Sequence, residues 1–134
     1  MNASSRFDWY YLALLLLAVL IFFPALGSRD FWAPVEPRYG EIARIMFANR
    51  EWIVPKVNGQ LYTDKPILYF WCVLIFSKLL GGVSEWSVRL PAAFGALGTV
   101  LVTYSIGKEH LGRTTGFIAA AVLATSARVL WEGR

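Results

Sequence analysis

The amino-acid sequence predicts an all-α membrane protein, because its composition is apolar and it contains three long apolar runs. The 134 residues are 57% hydrophobic, against about 45 to 50% in soluble domains, and the mean hydropathy is +0.50. Residues 9–26 and 90–106 carry no charged side chain, and residues 115–131 carry only Arg128. Each run approaches the roughly 20 apolar residues that cross a bilayer. We therefore expect three transmembrane helices at these positions.

The first apolar run also has features of a cleavable secretory signal, since Arg6 precedes it and small residues follow it. It is longer than the roughly 7 to 15 residues of a signal's apolar core. It also begins with Trp9-Tyr10-Tyr11, which is typical of an aromatic anchor at the membrane surface. We expect an uncleaved helix.

The segment between the first two runs decides the topology. Residues 67–76 are apolar, but as a helix they reach only about 15 Å, half of the hydrocarbon thickness. We expect residues 66–80 to lie in the interface or to re-enter. Lys108 and Arg113 in the short loop 107–114 favour a cytoplasmic position for that loop and for the N-terminus. The large loop 27–89 is then extracytoplasmic.

Two local patterns organise this loop. Pro37 suits the first turn of a helix, with Glu36 near the positive end of its dipole. One face of that helix is apolar and is expected on the membrane surface, opposite Arg38, Glu41 and Arg44. The apolar face consists of Tyr39, Ile42, Ala43, Met46 and Phe47. Further on, Asn58-Gly59 predicts a hairpin turn between residues 52–54 and 61–62, which brings Asp64-Lys65 back toward the helix start.

Several classes of function are disfavoured by composition. Basic residues are spread along the chain, so no nucleic-acid patch is visible. Cys72 is the single cysteine and His110 the single histidine. We interpret the first as a packing residue and the second as a solvated loop residue. No zinc site is expected, and a metal ion would need oxygen ligands.

Charged side chains of both signs beside the membrane favour binding of a lipid phosphate. The acidic candidates are Asp30, Glu36, Glu41 and Asp64, and the basic ones are Arg38, Arg44 and Lys65. Carboxylates accept protons or hold divalent cations, whereas Arg and Lys bind phosphate. An alternative of equal weight makes Glu41 and Arg44 an ordinary pair on one exposed helix face. Glu36 and Lys65 are the strongest candidates, since adjacent prolines constrain their backbone.

Three motifs extend this interpretation. They are W-x-P-x-E-x-R-Y-x-E-I-A-R at 32–44, W-I-V-P-x-x-N-G-x-x-Y-x-x-K-P at 52–66 and R-L-P-A-A at 89–93. In this order, after a first crossing, they resemble the N-terminal region of bacterial aminoarabinose transferases and related protein-mannosyltransferase-like enzymes. The resemblance covers about residues 9–134 and implies the N-terminal part of a GT-C membrane domain, truncated at 134 and inactive alone. It implies transfer of a sugar from a polyprenyl-phosphate donor to a lipid or protein acceptor on the periplasmic face of the bacterial inner membrane.

The resemblance also assigns residues, with one departure. The family's acidic pair before x-R-Y falls on Val35 and Glu36, so valine occupies the place of the presumed catalytic carboxylate. Either Glu36 or the nearby Asp30 takes over that role, and we favour Glu36.

The remaining assignments concern the donor. Arg38 and Tyr39 match the family's R-Y, and Lys65 matches a lysine associated with the lipid phosphate. Arg134 resembles an arginine that follows the third crossing in many relatives. The resemblance implies no certain cofactor, and it leaves open whether a divalent cation is bound.

Two other functions are compatible with the sequence. The loss of the first acidic residue is compatible with a protein that binds or carries a polyprenyl-linked sugar without chemistry. A small structural membrane subunit that ends at Arg134 is a third hypothesis.

Overall fold

The computed structural model describes residues 8–24, 26–27 and 35–132 of the chain. Within these residues the chain forms mainly α-helices, joined in one place by a two-stranded hairpin. The elements are α1 (Trp9–Phe22), α2 (Val35–Asn49), β1 (Lys56–Val57), β2 (Gln60–Leu61), α3 (Ile67–Leu80), α4 (Glu85–Leu111), α5 (Arg113–Ala124) and α6 (Ala127–Glu132).

One helix of the described residues, α4, is long and apolar enough to cross a membrane by length and composition. It contains the predicted crossing 90–106. The helices α1, α3 and α5 are apolar but shorter. The predicted arrangement of three crossings is therefore not confirmed beyond α4.

The third predicted crossing, 115–131, is not one helix. α5 ends at Ala124, and α6 begins at Ala127. Between them the Thr125 hydroxyl donates to the carbonyl of Ala121 at 2.9 Å, and the Ser126 hydroxyl donates to that of Leu123 at 2.9 Å. Such hydroxyls satisfy backbone carbonyls locally and compete with continuation of the helical hydrogen bonds.

The chain divides into two compact units. The first consists of Met1–Pro24 and Ala93–Arg134, and in it α1 packs against α5. Leu14, Ala18 and Phe22 repeat every four residues on α1 and are fully buried. Near the chain reversal at Gly112, α4 and α5 approach so closely that a Cβ atom on Gly107 would lie 2.7 Å from the Cα of Gly116.

The second unit, Ala25–Ala92, holds the long loop of the sequence analysis. Its α2 packs against α3 and against β1. Ile42 and Met46 are fully buried with Phe70 and Leu74, and Ala43 is buried with Val73 and Val88. The apolar face of α2 that we expected on the membrane surface is therefore covered by protein. The face itself was predicted from the spacing of its residues.

The hairpin is present where the Asn58-Gly59 dipeptide predicted it. Both residues have positive φ, 51° and 77°, as a two-residue turn of this type requires. The paired residues are Lys56 with Leu61 and Val57 with Gln60, so the strands lie closer to the turn than we expected.

Candidate functional site

The first turns of α2 carry three of the predicted site residues. Arg38 is exposed, Tyr39 is half-buried and Glu36 is 22% exposed. Pro37 occupies an early helical position, where its missing N–H costs nothing. The helix thus presents a carboxylate and a guanidinium within one turn of its N-terminal end.

Glu36 forms an ion pair that the sequence analysis did not predict. Arg89 Nη2 donates to Glu36 Oε2 at 2.7 Å, and Arg89 Nε donates to Glu36 Oε1 at 3.3 Å. Arg89 is only 3% exposed and also donates through Nη1 to the carbonyl of Leu26. The pair joins residues 53 positions apart in the sequence. The signal available for it was an arginine at the border of an apolar run.

Two local features fix the turn of α4 that carries Arg89. The Ser84 N–H donates to Ser87 Oγ at 2.9 Å, and the Ser87 N–H donates to Ser84 Oγ at 3.4 Å. This reciprocal arrangement is that of a capping box, with serine at both positions. Tyr69 also donates its hydroxyl to the carbonyl of Val88 at 3.1 Å.

The hairpin returns the chain to α2, as the sequence analysis predicted. Lys65 lies directly before Pro66, which precedes the first residue of α3. Its Nζ lies 5.7 Å from the ring centroid of Tyr39, within the range of a cation–π contact. Lys65 is exposed, so its ammonium is accessible to a ligand at this place.

An aromatic cluster connects the lysine with the ion pair. The ring of Tyr39 lies 5.5 Å from that of Tyr69, 6.4 Å from that of Tyr62 and 6.3 Å from that of Phe70, in edge-to-face geometry. Burial raises the pKa of Tyr69, and nearby Tyr39 and Glu36 raise it further. Tyr69 therefore lies beside both halves of the candidate site.

The phenol of Tyr62 is affected by charged groups near Lys65. Burial raises the pKa of its phenol, and Tyr39 and Asp64 raise it further, while Arg38 opposes them. Asp64 and Arg38, both of them predicted site residues, therefore act on the same buried hydroxyl. The phenol stays neutral near neutral pH and serves as packing and as a hydrogen-bonding group.

Glu41 and Arg44 form the ordinary pair on an exposed helix face that the sequence analysis gave as an alternative. Arg44 donates through Nε and Nη2 to the two carboxylate oxygens of Glu41, both at 2.8 Å. The hydrogen bond from Arg44 lowers the pKa of Glu41. The side chain of Arg44 is 69% exposed and that of Glu41 is 42% exposed, three residues apart on one helix, where such pairs contribute little.

Two of the predicted positions, Asp30 and Arg134, lie outside the described residues, as does the side chain of Val35. Within the ranges that the structure describes, no group of three or more His, Cys, Asp and Glu side chains is placed to hold a metal ion. Cys72 is half-buried, and His110 is exposed but lies in the last turn of α4 rather than in a loop.

The resulting site combines a fixed carboxylate, an exposed lysine above an aromatic ring and an exposed arginine. A phosphate would meet Lys65 as a point charge and Arg38 as a two-pronged donor. The Glu36 carboxylate would accept a proton or a hydrogen bond from a hydroxyl or amine. Side chains of these types can bind a phosphate ester and orient a nucleophile.

The chain is similar to known sugar-transferring enzymes. Residues 64–132 match the family described as dolichyl-phosphate-mannose-protein mannosyltransferase. The chain is 35% identical over 107 residues to an undecaprenyl phosphate-alpha-4-amino-4-deoxy-L-arabinose arabinosyl transferase of Shewanella sediminis, covering 80% of this chain and 19% of the relative. A protein of the same name from Pectobacterium carotovorum is 35% identical over 121 residues, covering 90% of this chain and 22% of the relative. The chain spans about a fifth of the length of these curated relatives. No solved structure matches it.

Proposed function

Because the chain belongs to the dolichyl-phosphate-mannose-protein mannosyltransferase family, we propose that its gene product transfers a sugar from a polyprenyl-phosphate donor to a lipid or protein acceptor. The reaction takes place at the periplasmic face of the bacterial inner membrane. The relatives named above suggest undecaprenyl phosphate-linked 4-amino-4-deoxy-L-arabinose as the donor. The observation that carries the proposal is Lys65, exposed above the Tyr39 ring at the entrance of α3, inside the segment that matches the family.

The proposed roles follow from charge. As the bond between sugar and phosphate breaks, negative charge grows on the departing polyprenyl phosphate, and Lys65 and Arg38 stabilise it. Tyr39 lies below the lysine and keeps it directed over the ring. Glu36 orients the acceptor nucleophile and accepts its proton. Asp30 is the second candidate for the carboxylate, and Arg134 is assigned to the donor by resemblance alone.

The proposed topology agrees with a contact inside the first unit. Asp8, directly before α1, accepts hydrogen bonds from Lys108 at 2.7 Å and from Arg113 at 3.0 Å. Segments in contact outside the hydrocarbon lie on the same side of a membrane, so an even number of crossings separates them. If α1 and α4 both cross, α3 does not, and the loop 27–89 is extracytoplasmic. The excess of Lys and Arg favours the cytoplasm for residues 107–114.

The test uses membranes that contain the protein encoded by the complete reading frame. Undecaprenyl phosphate-linked 4-amino-4-deoxy-L-arabinose with a radiolabelled sugar is added, and the label is followed into lipid and protein fractions. Lys65→Ala and Glu36→Gln are each expected to reduce transfer by about 100-fold or more. Glu41→Gln is the matched control, since Glu41 is an acidic residue on the same helix but pairs within that helix. This variant should transfer the sugar normally.

The outcomes separate the hypotheses. Transfer that survives both Lys65→Ala and Glu36→Gln would refute the assigned site. Wild-type membranes that retain the labelled donor but transfer nothing would favour the non-catalytic carrier instead.

A further inference from the structure

The pair of Glu36 and Arg89 is asymmetric in a way that suggests a division of roles. The guanidinium is 3% exposed and the carboxylate 22%, so only the carboxylate reaches the surface that a substrate would approach. We infer that Arg89 is a positioning residue, which holds the Glu36 carboxylate in one orientation for the transfer reaction. The inference rests on the proposed function and adds a residue to its site.

The hydrogen bonds fix the carboxylate in position and in rotation. Two nitrogens of one planar guanidinium bind its two oxygens separately. This two-pronged geometry sets the plane of the carboxylate, which a lysine with its single ammonium would not do.

Arg89 is itself anchored from several directions. It donates to the carbonyl of Leu26, and its helical turn is held by the serine cap of α4 and by the bond from Tyr69 to Val88. The next residue, Gly27, permits a close approach, since a Cβ atom there would overlap the indole of Trp86. The guanidinium is thus a fixed support for the first turn of α2.

A gain in stability alone does not account for the ion pair of Glu36 and Arg89. Burying a guanidinium requires its desolvation, and well-packed apolar side chains in place of a buried ion pair are often as stable or more stable. The pair instead supplies a defined orientation at the end of a helix. Orientation matters for transfer, because a misplacement of about 1 Å at a reacting group can reduce the rate about 100-fold.

The test of this role is a double-mutant cycle in the protein from the complete reading frame, with the labelled donor described above. Arg89→Met, Glu36→Gln and the double variant are purified, and kcat and the KM for the donor are measured per folded molecule. If Arg89 acts through Glu36, Arg89→Met lowers kcat about 100-fold and changes KM less than about threefold. In the Glu36→Gln background it then produces no further loss, because residues that act as one unit are not additive.

Two further variants keep the experiment decisive. Arg89→Lys retains the charge but not the fork, and an intermediate kcat is expected. It also replaces Arg89→Met in the cycle if that variant does not fold. Arg44→Met removes the exposed partner of Glu41 and should change neither constant. Additive losses in kcat, or a kcat per folded molecule that is unchanged in Arg89→Lys and Arg89→Met, would overturn the positioning role alone. A wild-type protein that transfers nothing would overturn the proposed function together with it.

Discussion

Asp8 accepts hydrogen bonds from three side chains within the described part of the first unit, and its removal gives a quantitative prediction. Its side chain is 18% exposed and accepts hydrogen bonds from the Tyr104 hydroxyl at 2.9 Å, from Lys108 at 2.7 Å and from Arg113 at 3.0 Å. These donors come from α4 and α5, so one carboxylate connects three helix ends. Asp8→Ala is therefore expected to weaken the association of α1, α4 and α5.

The magnitude follows from the surroundings of each donor. Tyr104 is 1% exposed, so the loss of its acceptor leaves a buried hydroxyl unsatisfied, at about 1 to 3 kcal/mol. Lys108 is 44% exposed and its ion pair contributes about 0.2 to 1 kcal/mol, whereas the pair of Arg113, which is 47% exposed, is screened by solvent. Asp8→Ala should lower the free energy of unfolding by about 3 kcal/mol. Asp8→Asn keeps an acceptor for Tyr104 and should lower it by about 1 kcal/mol.

The same contacts predict a pH dependence. The hydrogen bond from Lys108 lowers the pKa of Asp8 below its ordinary value of 3.8, against the opposing effect of burial, with Arg113 and Tyr104 adding to the lowering. Because the pKa is lower in the folded state, the unfolded chain takes up the proton first as the pH falls. The stabilisation by Asp8 is complete well above pH 3.8. It is lost as the pH falls through the lowered folded pKa.

The assay is equilibrium unfolding in mixed micelles at pH 7 and at pH 2, for the wild type and both variants. At pH 2 the difference between the wild type and Asp8→Ala should be smaller than at pH 7, because much of the stabilisation by Asp8 is lost below the ordinary pKa of 3.8. The expected order of stability at pH 7 is wild type, Asp8→Asn and Asp8→Ala, and salt should reduce the first difference by screening the exposed pairs. An Asp8→Ala protein within about 0.5 kcal/mol of the wild type would refute the reasoning, since that is the range of changes remote from any contact.

Three further predictions concern other contacts. Gly107→Ala places a Cβ atom 2.7 Å from the Cα of the facing helix and should cost about 1 to 3 kcal/mol, whereas Gly98→Ala, with open space, should not lower the midpoint of micelle unfolding. Tyr69→Phe removes a hydroxyl that donates a hydrogen bond to a backbone carbonyl at 3.1 Å. It should lower the free energy of unfolding in micelles by about 1 kcal/mol, and no change would mean that water replaces the bond. Tyr39→Leu removes the ring beneath Lys65 and should raise the KM for the labelled donor about threefold, while Tyr39→Phe leaves it unchanged.

The sequence predicted those parts of the second unit that depend on local pattern. The Asn58-Gly59 turn forms because its two residues tolerate positive φ, a preference that needs no distant partner. The turn then accounts for the approach of Lys65 to Tyr39. Arg89 could not be predicted in the same way. Its partner lies 53 residues away, and nothing local distinguishes an arginine that supports a carboxylate from one that flanks a membrane helix.

The sequence also could not predict whether an apolar helix face contacts lipid or protein, for a physical reason. Apolar spacing reports that one side of a helix avoids water, but lipid and protein satisfy that requirement equally. On α2 the predicted face is buried by protein, with Ile42 fully covered. On α3 one apolar side chain is covered by protein and others are not, since Phe70 is fully buried whereas Leu68 and Leu79 are 64% and 75% exposed. Only the position of the neighbouring elements distinguishes these faces, and that position depends on contacts such as the Glu36–Arg89 pair, which joins α2 to the first turn of α4.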